Sequence, residues 1–524
     1  MKKISIIFLL LFGGVAVQGQ DDYFNRTVRV KEYLEPAIPH PDQQKEAESK
    51  LEKLNKKPNI LIILIDDMGY GDIGVYGGGT AIGAPTPNMN KLANEGLRLT
   101  SAYAQPTCTP TRAALMTGRI PARSGLTRPT LTGENPKVNP WESENTAAKI
   151  LSENGYKTAI SGKWHLGETK GSMPNEVGYD EWLGFAAVQS EYSQFVNEWI
   201  YPDLINKPER LAAVKAMVNE AVVKGKKGEE NKEVAPITTI EELSKVDQIF
   251  ADYSEDFIRR AVEEDQPFYL IHSFSKVHND NYVSEEFKGK SPAAFPYKDA
   301  IMEVDDIVGR LTQLLEELDI DENTFVFLTS DNGPNEDTWP DGGFTPFRGG
   351  KGTTWEGGVR VPGIAYWKGM IEPGRISDGL FDLCDLFNTS IALAGAYDKI
   401  PSSNYIDGVD QTSFLLAGEG DSNRNAVFMY SETNFMAARW MEYKMHMKVF
   451  ETSAPRKNLD QSVVQQTGMA PWVYNLYVSP KEQVSTGHRY FEWGLPVMLG
   501  YIRDHLATYQ KYPMKDIGLK KPGQ

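Results

Sequence analysis

The segment Asn59–Ile65 (NILIILI) is an unbroken apolar run that stops at Asp66-Asp67 and a glycine-rich stretch. A helix on a protein surface keeps a polar face, and a half-exposed strand alternates. A run apolar throughout suits a parallel strand buried on both faces, with a working loop at its carboxyl end. The rest of the chain continues the pattern. Asn145–Asn154 reads as a helix and Lys157–Ser161 as a strand. In Val246–Glu264, Ile249, Phe250, Tyr253, Phe257 and Ala261 recur at helical spacing, and Pro267–Phe274 follows as a strand. Lys298–Leu318 gives a second amphipathic helix through Ile301, Val304, Val308, Leu311 and Leu315, before a strand at Thr324–Thr329. This alternation predicts an α/β fold whose mostly parallel sheet carries helices on both faces. From about residue 401 shorter pieces such as Asn425–Tyr430 and Tyr443–Phe450 predict a smaller α+β subdomain.

Residues 1–19 read as a signal peptide, with Lys2 and Lys3 ahead of the apolar Ile4–Leu11 and small Val17 and Gly19 before Gln20. The expected product is exported, to the periplasm or outside the cell, with no stable membrane insertion. Residues 20–57 form a polar N-terminal arm, 58–400 the main α/β domain and 401–524 the C-terminal subdomain. Within the main domain, 204–246 reads as an insertion, its Lys/Glu-rich patch from Lys224 to Glu233 a solvated face. The balance of 55 Lys+Arg against 71 Asp+Glu, a net −16, argues against nucleic acid as a partner. Of two cysteines, Cys384 sits in the apolar stretch Leu380–Leu393 and reads as a buried helical packing residue.

Chemistry in such a sheet gathers beyond the carboxyl ends of its strands, where several candidate residues fall. Asp66, Asp67, Asp331 and Asn332 close two apolar strands and form a hard-oxygen set suited to Ca²⁺, and less well to Mg²⁺. Lys163 and His165, two apart in Gly162–Gly167, would share a side of an extended segment and supply a charge and a mobile proton. His278 follows the strand that contains His272, itself read as structural. In Arg348–Gly358 the glycines allow close backbone approach, with Lys351 projecting into the space, but the spacing is neither a P-loop nor a dinucleotide fingerprint. Finally, Cys108-Thr-Pro110-Thr-Arg112 places proline in a helix's first turn and Cys108 at its N-terminus, where free N–H groups attract an anion. Arg112, four residues on, returns to the same face.

Together, Cys108–Arg119, Gly162–Gly167, the two acidic pairs and Arg348–Gly358 resemble the motifs of the formylglycine-dependent sulfatases of the alkaline-phosphatase superfamily. The resemblance covers residues 58–370 and is thin beyond about 400. It departs at Val277, where the family carries proline before the histidine that His278 matches. It implies a large mixed, mostly parallel sheet sandwiched by helices, with a smaller C-terminal α+β subdomain. It further implies a maturation enzyme acting on residues 108–112, oxidation of Cys108 to formylglycine, and a calcium ion held by Asp66, Asp67, Asp331, Asn332 and residue 108. The hydrated aldehyde would attack sulfur with His165 or Asp331 as base. Arg112, Lys163 and Lys351 would neutralise the ester, and His278, with Lys351, would protonate the leaving oxygen. The expected substrate is a sulfated sugar or aryl sulfate, with aromatics such as Trp141, Trp164, Trp182, Trp339, Phe344 and Trp355 available to stack on it. The rival activity within the superfamily is phosphonate monoester or phosphodiester hydrolysis.

Overall fold

The computed structural model describes residues 32–131, 134–187, 206–209, 220–335, 341–450, 464–467, 470–486 and 490–519. The signal-peptide reading of residues 1–19 lies outside them. No helix among the described residues is long and apolar enough to cross a membrane.

One 11-stranded sheet organises the chain. Its centre is the apolar run itself, strand β1 (Asn59–Ile65). On one side β1 pairs in parallel with β8 (Thr324–Ser330), and on the other with β7 (Phe268–Ser273). Beyond β7 lie β3 (Lys157–Lys163) and β4 (Glu181–Phe185), both parallel. Past β8 come β9 (Arg360–Tyr366), antiparallel, and then β2 (Leu97–Tyr103). The short β10 (Arg375–Ser377) and β11 (Phe381–Asp382) both run parallel to β2. The Lys/Glu-rich patch falls in β5 (Glu220–Lys226) and β6 (Lys232–Ile237), an antiparallel hairpin that extends the sheet past β4.

The reason β1 lacks polar alternation is visible in the packing. Ile60, Ile62 and Leu64 enter one core, while Leu61, Ile63 and Ile65 enter the core on the opposite face. The first core is covered by α1 (Cys108–Thr117), α2 (Ala147–Glu153) and α6 (Asp385–Leu393), through residues such as Leu115, Ile150 and Phe387. The second is covered by α3 (Val246–Glu263) and α4 (Pro296–Glu317), through Phe257, Ile301, Val304 and Val308. A side chain of this size contributes about 1.5–3 kcal/mol when fully buried, so a charge at any β1 position would be costly.

The expectation of helix throughout Leu380–Leu393 is corrected: Phe381–Asp382 is strand, and the helix starts only at Asp385. Cys384 is the residue before that start, buried and unbridged, with an Arg424 nitrogen 3.6 Å from its sulfur. The C-terminal region builds a four-stranded antiparallel sheet from β12 (Ala426–Ser431), β13 (Asn434–Trp440), β14 (Tyr443–His446) and β17 (Trp472–Asn475). Between β14 and β17 the pair β15 (Lys448–Phe450) and β16 (Val464–Gln466) forms a separate ribbon. Helix α7 (Leu495–Lys511) packs on the four-stranded sheet through Met498 and Ile502.

His272 is inside β7, fully buried, with Nδ1 2.8 Å from the Ser254 hydroxyl. Burial pushes its imidazole down to about 4. The unfolded chain therefore takes up the proton first, and the stability this neutral ring contributes above about pH 6.5 is lost as pH falls toward 4. Melting temperatures compared between about pH 7 and about pH 5 should fall less for His272→Gln than for the parent. Parallel declines would show that His272 titrates alike in both states.

Candidate active site

The parallel register sets the ends of β1, β3, β7 and β8 side by side: Ile65 faces Ser330, Leu64 faces Ser273, and Ser273 faces Gly162. Asp66-Asp67, Lys163, His278 and Asp331-Asn332 consequently leave the sheet at one edge. Cys108 joins them because α1 begins just after β2 ends at the same edge. Asp66, Asp67, Cys108 and Asp331 offer ligand atoms all within 4.8 Å of one another, and all four residues are buried.

Arg112 holds this ring together. Its Nε donates to Asp331 Oδ2 (2.9 Å), and its Nη1 donates to Lys163 O (2.8 Å) and Ser273 Oγ (2.6 Å). Ser273 in turn donates to Lys163 O (2.7 Å), so the guanidinium ties α1 to the ends of β3, β7 and β8. The expectation that Arg112 neutralises the ester thus takes a specific form: its contacts are with the carboxylate, the serine hydroxyl and the backbone that frame residue 108. Lys163 pairs with Asp66 Oδ2, and Lys351 pairs with Asp67 Oδ2 at 2.7 Å. Three carboxylates therefore meet three cations, all buried except the half-buried Lys351.

Electrostatics separate the two adjacent aspartates. Burial and the neighbouring Asp331 push the Asp66 carboxyl up. Burial also works against Asp67, but Lys351, His278 and Lys163 outweigh it and hold Asp67 well below the usual carboxylate range. Burial pushes the Cys108 thiol far up, against the pull of Lys163 and Lys351. As a thiol it is a poor nucleophile, since thiolate is the reactive form.

The geometry of His165 differs from the sequence expectation. Lys163 and His165 do not share a side of an extended segment, because the chain turns left-handed at His165 (φ 55°). That turn follows Gly162 (φ 106°), where a Cβ would stand 1.7 Å from Ser273 O, so only glycine lets β3 close on β7 here. The His165 Nε2 lies 3.0 Å from Thr130 O and must be the donor, which leaves Nδ1 a bare acceptor, buried and without a hydrogen-bond partner. Burial and the Lys163 charge hold the ring well below its usual range, hence neutral. His278 has Nδ1 2.6 Å from Asn279 O and Nε2 3.7 Å from Asp67 Oδ2. Burial and Lys351 push it down to about 3, so Lys351, not His278, is the protonated group beside Asp67.

The donor set fits a hard divalent cation. Asp66 Oδ1 and Asn332 Oδ1 are buried acceptors with no hydrogen-bond partner, and Asp66 clusters with the carboxylates of Asp67 and Asp331. Asn332 donates its amide to Asp67 Oδ1 (2.7 Å), which fixes which of its atoms remains available. All-oxygen donors of this kind match Ca²⁺ and, with stricter geometry, Mg²⁺. The site residues named from sequence are all brought together here. Missed were Ser273 and the Thr130 carbonyl, which orient Arg112 and His165. A serine inside an apolar strand end was a signal for the first, whereas a backbone carbonyl in a loop has no sequence signature. Of the aromatics, Trp141, Trp164, Trp182 and Trp355 are buried, Phe344 is exposed, and Trp339 lies outside the described residues.

A family model described as Sulfatase matches residues 58–396. N-acetylgalactosamine-6-sulfatase of Canis lupus familiaris is 36% identical over 411 residues, covering 76% of this chain and 73% of the relative. Arylsulfatase A of Homo sapiens is 34% identical over 404 residues, covering 75% of each. The crystal structure of PsFucS1 sulfatase from Pseudoalteromonas sp. superposes with a TM-score of 0.90 at 56% identity, over 94% of this chain and 99% of that one. With the family match, an α/β sheet that gathers a buried ring of paired charges at one edge marks a hydrolase of the alkaline-phosphatase superfamily. Within it, this chain belongs to the sulfatase family and is a sulfuric ester hydrolase.

Removing Arg112 strands the Asp331 carboxylate in the interior, which typically costs about 3–5 kcal/mol. Chemical denaturation of Arg112→Met should show a loss of that order. A loss below about 1 kcal/mol would mean that Asp331 finds another partner.

Proposed function

We propose that the protein is an exported sulfatase that removes sulfate from a sulfated carbohydrate, using residue 108 oxidised to formylglycine beside a calcium ion. One observation carries the reading: a buried residue 108 at a helix start, enclosed by three carboxylates and three cations, in a chain of the sulfatase family. The relative's name, N-acetylgalactosamine-6-sulfatase, favours a sugar sulfate, and arylsulfatase A keeps aryl sulfates in the assay panel. Export rests on the Lys2–Gly19 segment alone, and a mature N-terminus at residue 20 is the outcome that supports it.

The charge inventory explains why an anion would enter. Asp66, Asp67 and Asp331 balance Arg112, Lys163 and Lys351, so a bound divalent cation leaves the pocket net positive for a sulfate ester. When bound by Asp66, Asp67, Asp331 and Asn332, that ion supplies electrostatic stabilisation for sulfuryl oxygens. Oxidised and hydrated, residue 108 would supply one hydroxyl for attack on sulfur and a second to release sulfate with return of the aldehyde. The bare Nδ1 of neutral His165 accepts the proton of the attacking hydroxyl. Asp331, the other candidate base, is committed to Arg112 and serves instead to hold it. Lys163 and Lys351 carry positive charge toward the ester, and removing a preorganised contact of this kind costs about 10²–10³ in rate. As the S–O ester bond breaks, the leaving oxygen takes its proton from the Lys351–His278 pair, with Lys351 the member that holds one.

Three measurements test the reading. The peptide containing residue 108 of active protein should weigh about 18 Da less than its unmodified form, and full activity without that loss would refute the nucleophile. Added Ca²⁺ should raise the melting temperature and Asp66→Asn should abolish the rise; a rise retained by the variant would put the ion elsewhere. Sulfated mono- and disaccharides should be turned over faster than matched phosphate or phosphonate esters. The reverse preference would favour the superfamily's phosphonate or phosphodiester hydrolases.

A further inference from the structure

Lys351 leaves a segment, Arg348–Gly358, that folds back on itself. Gly357 N–H donates to Arg348 O (2.7 Å) and Thr353 N–H to Gly350 O (3.1 Å). A Cβ on Gly358 would stand 2.2 Å from Thr353 O and 2.4 Å from Gly350 O, so the fold-back needs glycine. Toward the site the segment is held by Lys351 N–H to Pro334 O (2.9 Å) and Gly352 N–H to Pro106 O (2.7 Å), beside the Lys351 Nζ–Asp67 pair itself. Its other side is gripped by charged side chains from the C-terminal subdomain.

Glu482, just beyond β17, accepts the Glu356 N–H at 2.6 Å, where Glu356 opens the one-turn helix α5 (Glu356–Val359). The same carboxylate receives His446 Nε2 (2.6 Å) and Lys444 Nζ (3.2 Å), both from β14. Lys444 reaches across to donate to Thr354 O (2.7 Å) and to pair with Glu356 Oε1 (3.0 Å). Arg348 donates to Glu482 O (3.0 Å), its guanidinium 3.7 Å from the Trp355 ring centre. Lys444, His446, Glu356 and Glu482 are all fully enclosed. Two carboxylates and a lysine are thus taken out of water. Such a group is expensive to bury and rarely improves on an apolar core, which points to fixing a geometry as its role.

We propose that Glu482 and Lys444 are positioning residues that fix the Gly-rich segment and so aim Lys351 at Asp67. The proposal rests on the sulfatase reading above. Neither residue touches the reacting atoms; both act through Thr354 and Glu356, three and five residues beyond Lys351.

A double-mutant cycle on the full-length, matured protein separates this from general stabilisation. With a sulfated monosaccharide as substrate, Lys351→Ala should lower kcat/KM by about 10²–10³ and Glu482→Gln by about 10–10². Combined, they should lose no more than about threefold beyond Lys351→Ala alone, because the lysine being aimed is already gone. Multiplying losses would overturn the proposal. Hydrogen exchange of residues 350–357 should quicken in Glu482→Gln while residues 268–273 stay unchanged, and unchanged exchange at 350–357 would also overturn it. His446→Gln, which removes a single bond to Glu482, is the milder variant should Glu482→Gln melt below the assay temperature, and the same two readouts apply. Absence of sulfate release by the unmutated matured protein would refute the sulfatase reading itself, while the exchange measurement would still decide whether Glu482 orders the segment.

Discussion

The Arg112–Asp331 pair is the constraint on which the rest of the site depends. One guanidinium, buried in the first turns of α1, bonds a carboxylate from the end of β8 and the backbone at the end of β3. It converts four separate strand ends and a helix start into one rigid ring. Most polar atoms of the pair are engaged: Asp331 Oδ1 receives the Asp67 N–H, Ser273 links the guanidinium to the Lys163 carbonyl, and Arg112 Nη2 faces Asp331 Oδ2 at 2.9 Å. Asp67 adopts a left-handed backbone (φ 60°), as does His165. Strain of that kind persists where surrounding contacts over-determine it, which is the condition that Arg112 creates.

Much of the fold was legible because burial writes itself into periodicity. β1 reads as doubly buried from seven residues, and α3 and α4 from the spacing of Phe257, Ile301 and Val304. The site was legible for a related reason: strand ends are marked where apolar runs stop, and Asp66-Asp67 and Asp331-Asn332 stand there. What the pattern lacks is register and turn geometry. Nothing in Gly162–Gly167 announces that the backbone turns left-handed at His165, so the segment is not extended through both Lys163 and His165. Likewise Leu380–Leu393 is apolar throughout, and apolarity alone does not distinguish the β11 bridge to β2 from the helix that follows. The Glu356–Lys444–Glu482 cluster was invisible for a third reason, since its members come from distant segments and pair only in three dimensions.

The opposed charges of the ring also bear on how two subdomains come to share one site. The α/β domain supplies the carboxylates and Lys163 from strand ends and Arg112 from α1, all held firmly by the core. Lys351 comes from a glycine-rich segment with little apolar surface of its own, and such a segment needs an outside support. The four-stranded C-terminal sheet provides it, which gives that sheet a part in the site without contributing a reacting group.

Cys108, Pro110 and Arg112 are all enclosed in the finished structure. An enzyme that must handle this stretch of chain would find no surface to grip once α1 has docked. Were residue 108 oxidised as proposed, the modifying enzyme would have to reach it before α1 docks, and a chain that folded first would keep its thiol.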